Sequence, residues 1–328
     1  WIKCRLRRKN YSIQEQTRNT MVSAMLLSLI HEPFRIGYKA QPTTKSLSDS
    51  MMTAIKTTLE QSSVRNSDAM MGEFRKLLNE PLFREDRTRN KKTKKERVTL
   101  EVIKEMIEYL HKYVYPLVLM EHSGFDVLGR FYTEFIRYAG SEQKQGLVLT
   151  PFHITDLFCD LANLTEHDIL YDPCCGTGGF LIAGMKRMFQ KAGNNENLKM
   201  NIKQNQLVGV ELRSSMYTYA CSNMMLRGDG RSNIYCGDCY QTKEAILGHR
   251  PTVAFLNPPY DFGTADQLQF IGHALDVVAP QNGRVVAIVQ MSCAIKDEKE
   301  LKAVKKQLLS EHHLKAVLSM PDDLFYPV

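Results

Sequence analysis

The sequence lacks any apolar run long enough to cross a lipid bilayer. A membrane-spanning helix needs about 18 or more consecutive apolar residues, whereas residues 21–30 supply only ten mostly apolar positions. This segment follows basic residues, but it has no small-residue cleavage site of the kind that ends a signal peptide. We therefore predict a buried amphipathic helix there and no membrane-spanning role.

The sequence also lacks the paired cysteine spacing of a disulfide framework. Its eight cysteines are spread over 328 residues, and in a protein of this size such cysteines are typical of reduced thiols in the cytoplasm. Cys236 and Cys239 have a CxxC spacing, but no second ligand pair lies at a suitable distance. We therefore expect a cytoplasmic protein without a metal site.

Positive charge is concentrated in the first half of the chain. Residues 1–150 contain 26 Lys and Arg against 17 Asp and Glu, whereas the remainder contains 17 against 19. A basic region can attract the phosphate backbone of nucleic acid, or it can serve solubility alone. The segment 84–97, with eight basic and three acidic residues, predicts an exposed linker or loop, with DNA contact as the alternative.

Two patterns divide the chain into a domain at 1–145 and a domain at 146–328. Up to about residue 119, apolar residues recur at spacings of three and four without sustained strand alternation, which predicts a mostly α-helical domain. The helical segments singled out are residues 51–59, 69–78 and 100–118.

After residue 146, short apolar runs alternate with helical stretches. This alternation predicts an α/β domain with a mainly parallel sheet covered by helices. The predicted strands are residues 169–171, 207–210, 233–235, 253–256, 284–289 and 314–318. The predicted helices are residues 179–189, 214–226, 268–278 and 299–309.

Acidic residues and glycines follow three of these strands, where an open sheet binds its ligands. Asp172 supplies a carboxylate, and the glycines that follow it remove Cβ atoms where a tight turn passes close to a ligand. The turn is not the GxGxxG dinucleotide motif, so by itself it fits a nucleotide site or a plain turn. Glu211 can accept hydrogen bonds from ribose hydroxyls, and Asp238 can receive an adenine amino group. Either residue could also be an ordinary surface carboxylate.

A second loop, Asn257-Pro258-Pro259-Tyr260, follows the strand predicted at 253–256. Its two prolines stiffen the loop and leave carbonyl acceptors, Asn257 adds an amide acceptor, and Tyr260 adds a stacking face. Such a set suits a planar ring that carries an exocyclic NH2 group. Together the two loops predict methyl transfer onto an exocyclic amine.

These motifs resemble the amino-methylating DNA methyltransferases that use S-adenosylmethionine. The resemblance covers residues 125–328 and is strongest to the modification subunits of type I restriction systems and to related fused restriction-modification enzymes. It implies a Rossmann-like S-adenosylmethionine-dependent methyltransferase fold, preceded here by helices. The residues expected to bind the cofactor are Leu149, Thr150, Pro151, Asp172, Pro173, Cys174, Gly176, Thr177, Gly178, Gly179, Phe180, Glu211 and Asp238. The residues expected to carry catalysis are Asn257, Pro258, Pro259 and Tyr260.

The order of the motifs implies transfer to the N6 amine of adenine in a specific DNA sequence. The implied mechanism is direct displacement at the sulfonium methyl group without a metal, on a base flipped out of the duplex. The implied partners are duplex DNA and specificity and restriction subunits, with the helical domain clamping DNA or docking a subunit. Methylation of cytosine N4, RNA or protein glutamine stays open, as does a noncatalytic assembly role in a restriction complex.

We also expect the protein to extend beyond this sequence at both ends. The sequence begins with Trp1 instead of methionine. The family has a further strand after the position of Phe325. The side chain of Phe325 could form part of the pocket wall or belong to the core. It often has a target-recognition region beyond that strand.

Overall fold

The computed structural model describes residues 17–62, 64–89, 96–119, 150–228 and 233–321. The chain divides into two compact units: residues 1–139 with 214–232 form one, and residues 140–213 with 233–328 form the other. The boundary expected at residue 145 falls outside the described residues and stays a prediction. Among the described helices, none is both long and apolar enough to cross a membrane.

The elements are numbered in chain order. The helices are α1 (Thr17–Ile30), α2 (Glu32–Gly37), α3 (Thr44–Gln61), α4 (Ser67–Arg75), α5 (Pro81–Arg84), α6 (Thr99–Tyr113), α7 (Tyr115–Leu119), α8 (Phe152–Leu161), α9 (Gly179–Ala192), α10 (Glu196–Asn205), α11 (Ser214–Met225), α12 (Lys243–Leu247), α13 (Thr264–Val278), α14 (Ser292–Ile295) and α15 (Lys299–Glu311). The strands are β1 (Arg87–Arg89), β2 (Glu96–Val98), β3 (Leu170–Asp172), β4 (Leu207–Glu211), β5 (Asn233–Cys236), β6 (Val253–Leu256) and β7 (Arg284–Ala287).

Helix α1 is the centre of the helical unit. The helix predicted at 21–30 is confirmed, but it is buried on all sides instead of being amphipathic, because α3, α6 and α11 pack around it. Two of its buried polar side chains form hydrogen bonds to α11. The Thr20 and Tyr219 hydroxyls lie 2.9 Å apart, and the Ser23 hydroxyl donates to Ser222 over 2.8 Å.

The charged segment at 84–97 forms more regular structure than its sequence predicted. Strands β1 and β2 pair antiparallel, with Arg87 opposite Val98, so the prediction of a loop was wrong for the paired residues. A two-stranded ladder is held by backbone hydrogen bonds, which need no apolar side chains. A hydrophobicity pattern therefore does not reveal it.

The second unit is built on a parallel sheet with the strand order β5-β4-β3-β6-β7. Leu170 of β3 pairs with Leu207 of β4 on one side and with Val253 of β6 on the other. The strand order reverses direction between β3 and β6, and such a reversal opens a crevice beyond the carboxyl ends of the strands. The fold therefore offers a ligand site where β3, β4 and β6 end.

Helices cover both faces of this sheet. Ala254 and Leu256 of β6 pack in one cluster with α13. Phe255 points to the other face, where its ring contacts Phe158 of α8 and Phe180 of α9 at centroid distances of 5.6 and 5.7 Å. Neighbouring strand residues alternate between faces, so the continuous apolar run of β6 reflects burial on both sides.

Five of the six predicted strands are confirmed, but the strand predicted at 314–318 is wrong. Those residues have no strand structure, and the side chains of Leu314, Val317 and Leu318 are exposed. The preference of a sequence for a strand is expressed only where a neighbouring ladder is available. No described strand pairs with this segment.

The side chain of Asp168 links the amino ends of three strands through hydrogen bonds. Its carboxylate accepts hydrogen bonds from Thr165 before β3, from Thr252 before β6, and from the Arg284 guanidinium in β7, at 2.8 to 3.1 Å. Burial alone would raise the pKa of Asp168, but the bonds from Arg284, Thr165 and Thr252 lower it below its ordinary value. The charged form therefore stabilises the fold.

We predict that Asp168→Ala lowers the free energy of unfolding by roughly 2 to 3 kcal/mol, because it leaves the hydrogen-bond donors of Thr165, Thr252 and Arg284 without this acceptor. The stabilisation should be present near neutral pH and be lost as the pH falls through the depressed pKa of this carboxyl. Urea denaturation at several pH values measures both effects. The matched control is Asp297→Ala, which removes an exposed ion pair with Lys302 and should change little. Equal effects of the two substitutions would contradict the role of Asp168.

Candidate active site

The glycine-rich turn begins at Asp172, the last residue of β3. The carboxylate of Asp172 accepts the backbone N–H of Cys174 over 3.1 Å, and the Cys175 carbonyl accepts the N–H of Gly178 over 2.7 Å. Gly176 and Gly178 have φ values of +56° and +84°, in the left-handed region that favours glycine. The chain therefore turns sharply from β3 into α9 at these two glycines.

This turn packs directly against the next strand. The backbone N–H of Cys175 donates to the Val210 carbonyl over 2.9 Å. A Cβ atom on Gly209 would lie 3.1 Å from the Cys175 sulfur and 3.0 Å from Leu181, which is tighter than ordinary contact. Glycine at position 209 therefore lets the turn rest on β4.

Glu211 is held in a fixed orientation at the end of β4. One of its carboxylate oxygens accepts the N–H of Gly176 over 3.0 Å, and the other accepts the N–H of Arg213 over 2.8 Å. Its own carbonyl accepts the N–H of Gly237 over 2.9 Å. The sheet thus brings the turn after β3, the acid after β4 and the loop after β5 together.

Asp238 lies in that third loop and is half-buried. Its carboxylate accepts the N–H of Tyr240 over 2.8 Å. The Tyr240 ring lies against the rings of Phe270 and His273, at centroid distances of 5.4 and 4.8 Å. A cluster of aromatic rings therefore packs at the residue that is bonded to the third predicted acid, a feature that no local sequence motif indicated.

Asn257 links the loop after β6 to two other segments. Its amide nitrogen donates to the Thr150 hydroxyl over 3.0 Å, and its backbone carbonyl accepts the thiol S–H of Cys174 over 3.4 Å. Pro258 is buried, and Pro259 and Tyr260 are half-buried. The structure therefore joins the two predicted loops through Cys174.

Several other predicted residues lie at the edge of the site or beneath it. Pro151 is the N-cap residue of α8. Phe180 is buried and stacks on Phe158 at 4.6 Å, so it supports the turn from the core. Leu149 and Phe325 lie outside the described residues. Pro173 and Thr177 are buried and Gly179 is half-buried within the turn or at the start of α9.

Gln267 supports the second loop and was missed by the sequence reasoning. This fully buried side chain donates to the Phe262 carbonyl over 3.3 Å and to the Gln290 side chain over 2.9 Å. It also accepts the backbone N–H of Gln290 over 3.2 Å. The one signal in the sequence is an amide residue within the apolar pattern of α13.

Two carboxyl groups are buried close together in the site. Burial raises the pKa of Asp172 well above its ordinary value, and the nearby Glu211 carboxyl adds to the increase despite the hydrogen bond from Cys174. Burial also raises the pKa of Glu211, against the hydrogen bonds from Arg213 and Gly176. Such buried carboxyls are typical of functional sites, and a cationic ligand would stabilise their charged forms.

We predict that these raised pKa values make the ligand-free protein less stable as the pH rises. A raised carboxyl pKa means that the folded state binds more protons, so stability is lost as the pH climbs through the raised value. Relative to the unmodified protein, Asp172→Asn should therefore become progressively more stable as the pH rises from the ordinary pKa of an aspartate through the raised one. Urea denaturation at each pH measures this difference. Asp297→Asn, an exposed control, should change the free energy of unfolding little at any pH, and a constant difference for Asp172→Asn would refute the assignment.

Residues 123–328 match the family model described as N-6 DNA Methylase. Among curated proteins, the type II restriction enzyme and methyltransferase RM.BcgI of Heyndrickxia coagulans is 38% identical over 218 residues, which are 64% of this chain and 34% of that protein. The chain thus spans about a third of the length of this relative. The resemblance stated from the sequence is confirmed.

Solved structures confirm the fold class. One from a study of complex assembly and conformational transition of the type I R-M system superposes with a TM-score of 0.64 at 17% identity, over 94% of this chain and 66% of that chain. The methyltransferase subunit of a type I restriction-modification system from Streptococcus thermophilus gives a TM-score of 0.50 at 16% identity, over 95% and 77% of the two chains. These likenesses show a methyltransferase fold with a mainly parallel sheet and an N-terminal helical region. The family match over residues 123–328 places this chain in the N-6 DNA methylase family.

Proposed function

We propose that this chain transfers a methyl group from S-adenosylmethionine to the N6 amine of adenine in DNA. The observation that carries the proposal is the joined pair of loops, in which Cys174 of the first loop bonds to Asn257 of the second. Direct methyl transfer requires the donor and the amine to be held in line, and positioning of this kind supplies much of the catalysis. Two loops fixed to each other suit that requirement.

The residues of the first loop fit the methyl donor. The turn presents backbone at Gly176 and Gly178, where no Cβ blocks a close approach. Both Glu211 oxygens are already oriented by backbone N–H groups, and a carboxylate oxygen retains further acceptor capacity for ribose hydroxyls. When bound, S-adenosylmethionine supplies a methyl carbon made electrophilic by the adjacent sulfonium.

Buried carboxyls also suit this donor electrostatically. Asp172 is 1% exposed and Glu211 is 7% exposed, and a sulfonium or ammonium group would favour their ionised forms. Asp238, in the loop after β5, accepts the backbone N–H of Tyr240 and is proposed to receive the adenine amino group of the donor. Leu149 and Pro151, on either side of Thr150, are proposed to close over its methionine end.

The residues of the second loop fit an amine on a planar ring. The Asn257 amide oxygen and the Pro258 carbonyl are proposed to accept the two hydrogens of the amine, which leaves the nitrogen lone pair directed at the methyl carbon. The Tyr260 ring is proposed to stack on the base. Stacking on an aromatic side chain is worth about 1 to 3 kcal/mol per base. This energy offsets part of the cost of flipping the base out of the duplex, which is on the order of a few kcal/mol.

We propose partners from the similarity of this chain to proteins of type I restriction-modification systems. Specificity and restriction subunits fit a chain that resembles type I modification subunits, and the helical unit is proposed to clamp DNA or dock such a subunit. The basic excess in residues 1–150 favours an approach to phosphate groups. A cytoplasmic location stays a prediction.

The proposal is tested by incubating the complete protein, with its specificity partner if it has one, with tritiated S-adenosylmethionine and duplex DNA. Label in N6-methyladenine after digestion of the DNA is the expected result. Label found instead in N4-methylcytosine, in RNA or in a protein glutamine would show that adenine in DNA is not the methyl acceptor. No cofactor binding by calorimetry would favour a noncatalytic assembly role.

We predict different defects from substitutions in the second loop and at the end of β4. Asn257→Ala should lower the transfer rate by more than about 100-fold, because it removes a group that acts on the reacting amine, while the dissociation constant for S-adenosylmethionine changes little. Glu211→Gln should weaken cofactor binding by roughly tenfold, because it loses a charged acceptor. Single-turnover kinetics and calorimetry separate the two effects.

The control for this pair is Asn205→Ala, an exposed amide at the end of α10, which should alter neither quantity. Equal loss of transfer and of cofactor binding by Asn257→Ala would contradict the role proposed for Asn257.

A further inference from the structure

Thr150 contacts the second loop, although the resemblance to the methyltransferase family implied that it binds the cofactor. Its hydroxyl accepts the amide N–H of Asn257 over 3.0 Å, across a sequence separation of 107 residues. Thr150 immediately precedes Pro151 and α8, so its backbone is anchored by the start of a helix. The hydroxyl is therefore placed to hold the Asn257 side chain.

The backbone of Asn257 is restrained in two ways. A residue that precedes proline is confined to extended conformations, and Asn257 precedes Pro258. Its carbonyl also accepts the S–H of Cys174 over 3.4 Å. With the backbone held, the position of the amide depends on two side-chain torsions alone.

The bond to Thr150 restrains those two torsions. An asparagine amide has an accepting oxygen at one end and a donating NH2 group at the other. Only the oxygen can receive a hydrogen from a target amine, because the NH2 end would place donors against donors. Holding the amide by its nitrogen therefore turns the oxygen away from Thr150.

We propose that Thr150 is a positioning residue that acts through Asn257, by orienting its amide toward the target amine. This inference rests on the proposed function and deepens it. In this role the hydroxyl acts on the target amine only through the Asn257 side chain. Its removal should slow the chemical step and should leave cofactor affinity nearly unchanged, which distinguishes positioning from the cofactor contact expected from the sequence.

The test compares three variants of the complete enzyme, with its specificity partner if it has one, at saturating cofactor and DNA. Thr150→Val keeps the shape of the side chain and removes the hydroxyl. We expect its single-turnover rate to fall roughly 10- to 100-fold, because a small misplacement of a reacting group has effects of that size. The dissociation constant for S-adenosylmethionine, measured by calorimetry, should change less than about twofold. Thr150→Ser should restore most of the rate because it retains the hydroxyl.

The matched control is Thr155→Val, which removes a buried hydroxyl that bonds within α8 to the Phe152 carbonyl. It should leave the single-turnover rate unchanged. The inference is overturned if Thr150→Val weakens cofactor binding with no change in the saturated rate, if neither quantity changes, or if Thr150→Ser fails to restore the rate. Absence of transfer by the unmodified enzyme would overturn the proposed function, and the inference with it.

Discussion

The parallel pairing of β3 with both β4 and β6 is the constraint on which the site depends. Leu170 lies opposite Leu207 on one side and Val253 on the other, so the three strands run side by side and end at the same edge. Parallel strands place all their carboxyl ends together. The turn at Asp172, the acid at Glu211 and the loop at Asn257 therefore emerge next to one another. At the opposite edge, Asp168 fastens the amino ends through Thr252 and Arg284.

The segments at this edge are bonded to each other as well as to the sheet. The backbone N–H of Gly176 donates a hydrogen bond to the Glu211 carboxylate, and the Cys174 thiol donates one to the Asn257 carbonyl. The Asn257 side-chain amide donates a third hydrogen bond to the Thr150 hydroxyl. Most of these bonds use backbone groups, which lose less conformational freedom than long side chains when they are held. A site of this construction is organised before a ligand arrives, as methyl transfer requires.

This organisation has an electrostatic cost. Burial raises the pKa of both Asp172 and Glu211, so the ligand-free protein holds two carboxyls in an environment that disfavours their charge. Binding of a cation would convert this unfavourable energy into affinity. Locally unfavourable residues at a functional site are common in proteins, and the surrounding fold compensates for them.

The sequence predicts the sheet of the second unit well, because apolar runs such as 253–256 reflect burial on two faces. The prediction fails at residues 314–318, where the same pattern lacks a described ladder partner. It also fails at residues 87–89 and 96–98, where a ladder forms between two strands of mostly charged residues. Within the site, motifs locate Asp172, Glu211 and Asn257. They do not reveal the contact between Thr150 and Asn257, because it joins residues 107 positions apart whose proximity is set by the fold.

We propose that the hydrogen bond between Cys174 and Asn257 makes the two loops into one site. Hydrogen exchange of the backbone amides, measured with and without S-adenosylmethionine, tests whether the two loops are coupled in this way. We predict that the ligand slows exchange both in residues 174–180, which it would touch, and in residues 257–262, which it would reach through this bond, while α6 is unaffected. Protection confined to residues 174–180 would contradict the coupling of the two loops.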